Sequence, residues 1–182
     1  MQGSIYTAFS DMVIEQMGME SWNELIDETK PPSQGIYTAG EQYQDSELIN
    51  MVVLLVEKTG LPIEQLLESF GEFLFDKLYK NSPADLSNID NLRDFLLAID
   101  SVIHVEVKRL HPQAYLPKFK YIEDRDDQLT LQYFSKRKLC HVSVGLIKGA
   151  ANKFKQKIQL EHPICMHKGA KYCELVVIFK EG

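Results

Sequence analysis

The sequence predicts an α+β protein, with a helical N-terminal half packed against a C-terminal antiparallel sheet that carries further helices. Three observations predict it. Apolar residues recur at helical spacing from the N-terminus to about Leu110. Pro112 and Pro117 then interrupt that pattern. From Phe119 onward, short alternating stretches separated by polar turns have the period of strands.

Taken in order, Ile5, Phe9, Met12 and Val13 give a first helix an apolar face, and Gly18 stops it before a second helix starts near Glu20 and Ser21. Lys30 to Gln44, with Pro31, Pro32, Gly35 and Gly40, reads as a loop. Asp45 or Ser46 is placed to cap a third helix that turns Leu48, Val52, Leu55 and Val56 inward and ends at Lys58 and Gly60. Pro62 suits the first turn of a helix from Ile63 to about Tyr79, with Leu66, Leu67, Phe70, Leu74 and Leu78 along it. Gly71 inside that helix costs about 1 kcal/mol against alanine, which points to a close neighbour.

After Asn81-Ser82-Pro83, Ser87 to Asp90 is expected to cap a long helix reaching about Leu110. Its stripe of Leu92, Phe95, Leu96, Ile99, Ile103, Val107 and Leu110 is expected to be core. His104 lies off that stripe, on a secondary face with Leu97, where an imidazole suits either a boundary position or presentation to a pocket. Lys118 to Glu123 and Gln128 to Arg137 form a candidate hairpin around Asp124 to Asp127. Ser143 to about Lys157 reads as a helix with Val144, Ile147, Ala151 and Phe154 inward. A second hairpin pairs Lys157 to Met166 with Lys171 to Phe179, turning at His167 to Ala170.

The 182 residues suit one domain, large enough to bury a core and a cofactor. Hydrophobic content of 45% and charged content of 25% are ordinary for a soluble globular protein. A formal charge of −6 counts against nucleic acid and anionic membrane surfaces as partners. The apolar run Met51 to Val56 is far too short to span a bilayer, and no basic-then-apolar leader opens the chain, so a cytoplasmic location is expected.

Two constellations carry chemistry. On a strand, Tyr133, Ser135 and Arg137 project to one side, and two hydroxyls beside a planar guanidinium suit a ligand with adjacent carboxylates. A solvated polar face is the plainer alternative. The second set is Cys140, His162, Cys165 and Cys173, which uses every cysteine in the chain. If the second hairpin converges on Cys140, three thiolates and an imidazole make a closed tetrahedral zinc site. Three separate buried thiols remain the alternative, and His141 and His167 compete for the nitrogen position.

Tyr133-x-Ser135-x-Arg137, His104 about thirty residues before it, Pro117 thirteen after that histidine, and Gly145-Leu146-Ile147 opening the next helix together resemble the haem nitric oxide/oxygen binding (H-NOX) family. The order of elements agrees over essentially the whole chain. The resemblance implies a single H-NOX domain over residues 1–182, with a distal helical subdomain to about residue 60, a proximal subdomain from about 61, and haem b buried between them. It implies His104 as the axial ligand to haem iron, with His111 the next candidate. Tyr133, Ser135 and Arg137 would bind the two propionates, and Ile5 and Pro117 would press on the porphyrin from opposite sides. Phe9, Leu74, Leu78, Val142 and Leu146 would complete the apolar pocket. The cysteine set is similar to the zinc site of some bacterial members.

Oxygen-binding members place a tyrosine at the position matching Val142, with polar support at positions matching Phe9 and Leu74. All three are apolar here, which implies a ferrous haem that takes nitric oxide and carbon monoxide and largely excludes dioxygen. The family resemblance further implies a sensor and not an enzyme, acting on a separate histidine kinase or cyclic-di-GMP enzyme (diguanylate cyclase or phosphodiesterase). An oxygen or redox sensor, or a zinc-thiolate switch on the same scaffold, is the alternative. No nucleophile-base pair or phosphate-binding glycine loop supports a hydrolase or nucleotide-dependent activity.

Overall fold

The computed structural model describes residues 1–181. Helices α1 (Gly3–Met17), α2 (Met19–Thr29), α3 (Asp45–Thr59) and α4 (Ile63–Lys80) come first. Their facing stripes meet in one buried cluster built on Tyr6, Phe9, Met12, Val13, Leu25, Leu48, Met51, Leu55, Phe70 and Leu74. These positions recur every three or four residues, so each helix buries one face and leaves the other to solvent.

Short helices α5 (Leu92–Ala98) and α6 (His104–Leu110) flank a π-helical turn over Ile99–Ile103. Strands β1 (Lys118–Arg125) and β2 (Gln128–Phe134) follow, then α7 (Cys140–Lys153), β3 (Ile158–Ile164) and β4 (Cys173–Phe179). The two expected hairpins belong to one antiparallel sheet, because β2 pairs with β4 to give the order β1-β2-β4-β3. Register places Leu129 opposite Val177, Leu131 opposite Leu175 and Tyr133 opposite Cys173. The first two pairs pack with Phe75, Leu92, Phe95, Leu96, Val144, Ile147 and Ala151 in a second buried cluster, and Leu146 touches both clusters.

The α4–α7 pair joins the helical half to the sheet half. A Cβ on Gly71 would lie 2.2 Å from the Val142 carbonyl oxygen, and one on Gly145 would lie 2.0 Å from that of Glu68. The two backbones therefore touch, which is the close neighbour that a glycine in mid-helix implied. Glu68 reinforces the contact by accepting from Lys148 Nζ at 2.6 Å.

Three expectations need correction. The helix predicted from about residue 90 to Leu110 is broken by the π-helical turn, whose wider winding moves later residues off the original stripe. Val107 is consequently only half-buried and Leu110 is 53% exposed. Its cap is Asn91, whose side chain accepts the Asp94 amide hydrogen at 2.9 Å. Strand β2 stops at Phe134 and not at Arg137, since the chain turns there and reaches Lys138 with φ of 52°. Helix α7 begins at Cys140 and ends at Lys153, earlier at both ends than the apolar pattern suggested.

Candidate functional site

His104 opens α6, directly after the π-helical turn. Its Nδ1 lies 2.6 Å from Asp100 Oδ1, and the second carboxylate oxygen of Asp100 accepts the Phe119 amide hydrogen at 2.7 Å. An ionised carboxylate only accepts, so Nδ1 carries the hydrogen and the Nε2 lone pair is left for a ligand. Burial lowers the His104 pKa and Asp100 opposes it only in part, so the imidazole is kept neutral, as metal ligation requires. Phe119 stacks beside it at 6.2 Å and reaches the Tyr133 ring at 5.6 Å. Asp100 was missed at the level of sequence; a carboxylate one helical turn before a candidate ligand histidine was the available signal.

Tyr133, Ser135 and Arg137 do not share a strand face. Tyr133 is buried on β2, and desolvation pushes its phenol up to about 12. Ser135 lies in the turn, where its hydroxyl accepts the Arg137 amide hydrogen at 3.2 Å. Arg137 grips a carboxylate with both arms of its fork: Nε is 2.5 Å and Nη2 3.1 Å from the two oxygens of Asp45. A third nitrogen donates to the Tyr115 carbonyl, and the guanidinium stacks 4.9 Å from the Tyr115 ring. Burial raises the Asp45 pKa, but hydrogen bonds from Arg137 and the Met1 amino group outweigh it and hold the group below the usual carboxylate value. Arg137 is thus oriented for carboxylate recognition, with Asp45 in its grip here.

Phe9, Leu74 and Val142 are all buried in the first cluster, with Ile5 and Leu146 packed against them. Two of the nearby tyrosines, Tyr6 and Tyr37, donate their hydroxyl hydrogens elsewhere. Tyr6 donates to the Gln44 carbonyl at 2.6 Å, Tyr37 donates to Glu47, and Tyr43 accepts the Thr38 amide hydrogen. Leu78 is 38% exposed and Pro117 is half-buried before β1, and neither belongs to that cluster.

The cysteine set does converge. Ligand atoms of Cys140, His162, Cys165 and Cys173 all lie within 4.8 Å of one another. Helix α7 supplies Cys140, β3 His162, the segment after β3 Cys165, and β4 Cys173. The sulfurs of Cys140 and Cys165 are 3.9 Å apart, and Cys173 Sγ accepts the Met166 amide hydrogen at 3.2 Å. Burial and neighbouring thiols raise the Cys140 and Cys173 pKa values, so the thiolates need a bound cation to form readily. His162 Nε2 is buried with no hydrogen-bond partner among the described residues. Neither rival histidine belongs to that group: His141 Nδ1 faces Glu68 at 3.2 Å, and His167 Nε2 lies 2.7 Å from the Lys138 carbonyl oxygen. Three sulfurs and one nitrogen around a common point fit a tetrahedral zinc ion.

Residues 2–162 match the Haem-NO-binding family. The chain is 35% identical to an H-NOX protein from S. oneidensis solved in the Fe(II)NO ligation state, with a TM-score of 0.93 and all of both chains covered. It is 27% identical to the Fe(II) unliganded H-NOX protein from K. algicida, with a TM-score of 0.91 over 100% of this chain and 98% of that one. Soluble guanylate cyclase gcy-35 of Caenorhabditis elegans is 26% identical over 163 residues, which are 84% of this chain but 23% of the cyclase. Among the described residues, no helix is long and apolar enough to cross a membrane. The matched family and the shared fold lead to one conclusion: the chain belongs to the H-NOX family of haem-binding gas-sensor domains, which are not themselves catalytic.

Proposed function

We propose that this domain is a nitric oxide sensor that discriminates against dioxygen and regulates a separate signalling protein. The observation that carries the reading is the apolar wall of Phe9, Leu74 and Val142, with the hydroxyl hydrogens of neighbouring Tyr6 and Tyr37 donated to other partners. Bound dioxygen gains from a hydrogen-bond donor that this wall does not offer, so selectivity follows from what is withheld. Haem held by His104 would supply a ferrous iron able to take a diatomic gas.

The chain's own residues do the rest. His104 would hold the iron through a neutral Nε2, Tyr133, Ser135 and Arg137 would receive the propionates, and Ile5 and Pro117 would bound the porphyrin. For Arg137 to take a propionate it must share or exchange Asp45, which links the start of α3 to the turn after β2. A change in how His104 is held would be passed to α6 and would let the helical and sheet halves adopt a second packing across the α4–α7 contact. The surface so changed would be read by a histidine kinase, or by a diguanylate cyclase or phosphodiesterase. Zinc at Cys140, His162, Cys165 and Cys173 would staple α7 to β3 and β4.

The test is the absorption spectrum of the reduced, haem-loaded protein before and after nitric oxide, carbon monoxide and air, repeated for His104→Gly with and without imidazole. The reading expects spectral shifts with the first two gases, no stable dioxygen complex, and a His104→Gly protein whose native spectrum returns only with imidazole. An unchanged ferrous spectrum in His104→Gly without imidazole would remove His104 as the ligand and bring His111 forward.

A further inference from the structure

Asp100 connects the candidate axial histidine to the sheet through a single carboxylate. One oxygen receives the His104 Nδ1 hydrogen at 2.6 Å, and the other receives the Phe119 amide hydrogen at 2.7 Å. Both contacts have the short length of charge-assisted hydrogen bonds. Asp100 itself lies within the π-helical turn Ile99–Ile103, and π-helical segments concentrate at functional positions. Phe119 pairs with Tyr133 across β1 and β2, and its ring lies between those of His104 and Tyr133.

We infer that Asp100 is a positioning residue that sets the strength of the bond His104 makes to iron and couples movement of α6 to strand β1. The inference rests on the reading of His104 as axial ligand. A carboxylate accepting the Nδ1 hydrogen fixes the tautomer and the ring direction, and it raises the electron density at Nε2. Because the same carboxylate holds the Phe119 amide, α6 cannot shift at His104 without pulling on β1 or breaking this bridge. Strand β1 then bears on Tyr133, whose neighbours include Cys140, Cys165 and Cys173. A change at the imidazole thereby reaches both the propionate-side tyrosine and the edge of the metal cluster through contiguous contacts.

The experiment uses haem-loaded Asp100→Asn and Asp100→Ala, with Ser101→Ala as control. Ser101 is exposed, and its hydroxyl donates only to the Leu97 carbonyl one turn back. Resonance Raman spectra of the ferrous proteins should show the iron–histidine stretching band shifted to lower wavenumber in both Asp100 variants and unmoved in Ser101→Ala. The nitric oxide complexes should hold a larger five-coordinate fraction in both. Amide exchange of Phe119, measured on the diamagnetic carbon monoxide complex, should accelerate in Asp100→Ala and stay near wild type in Asp100→Asn, whose amide oxygen still accepts. A band unmoved in Asp100→Ala overturns the ligand-strength claim, and unchanged Phe119 exchange overturns the coupling to β1. Failure of the underlying reading looks different, because His104→Gly would then leave the ferrous spectrum intact.

Discussion

Gly145→Ala is the sharpest test of how the two halves are joined. The added Cβ would lie 2.0 Å from the Glu68 carbonyl oxygen and 2.7 Å from Gly71 Cα, roughly 1 Å or more short of ordinary contact. Both obstacles are backbone, so no side chain can swing aside and α7 must move away from α4. Overpacking of this kind costs about 1–3 kcal/mol, and backbone obstacles put this site at or slightly above the upper end. Alanine also favours the helix by about 1 kcal/mol over glycine, leaving a net loss of about 2 kcal/mol. For a domain of this size that lowers Tm by about 4–8 °C. Thermal and urea unfolding followed by circular dichroism measure it, with Gly40→Ala as control because nothing lies within 4 Å of its added methyl. A Gly145→Ala protein as stable as wild type would refute the claim that α4 and α7 are locked backbone to backbone.

Further outcomes follow from the sites. Val142→Tyr places a hydroxyl in the otherwise apolar wall, so the haem-loaded variant should form a dioxygen complex visible in the Soret region, at an overpacking cost of about 1–3 kcal/mol. His162→Ala should lower zinc stoichiometry by elemental analysis and raise thiol reactivity at Cys140, Cys165 and Cys173, whereas His141→Ala and His167→Ala should leave both near wild type. His104 and His162 are held below their ordinary pKa of 6.5, mainly by burial, so the unfolded chain takes up protons first as the pH falls. Stability of haem- and zinc-free protein should therefore be full above about pH 6.5 and decline as the pH falls from there towards the folded-state values. A urea midpoint at pH 5.5 equal to that at pH 7.5 would contradict it, and His104→Gln should remove part of the slope.

Local chemistry determined much of this protein before any folding was considered. Helical periodicity in Ile5 to Val13 and Leu66 to Leu78, the proline breaks at Pro112 and Pro117, and alternation after Phe119 were enough for the α+β class, because these signals depend only on near neighbours. The residue types at His104 and at the cysteine set were equally legible. What the sequence did not decide was geometry set by long-range contacts. The π-helical turn at Ile99–Ile103 overrode a regular stripe, and the chain turned after Phe134, where strand alternation would have continued to Arg137. The choice of His162 over His141 and His167 depended on which imidazole the folded chain brings within 4.8 Å of all three sulfurs. Asp45 meets Arg137 across ninety-two residues. Such pairings are invisible to periodicity, because only packing of the whole chain brings the partners within hydrogen-bonding distance.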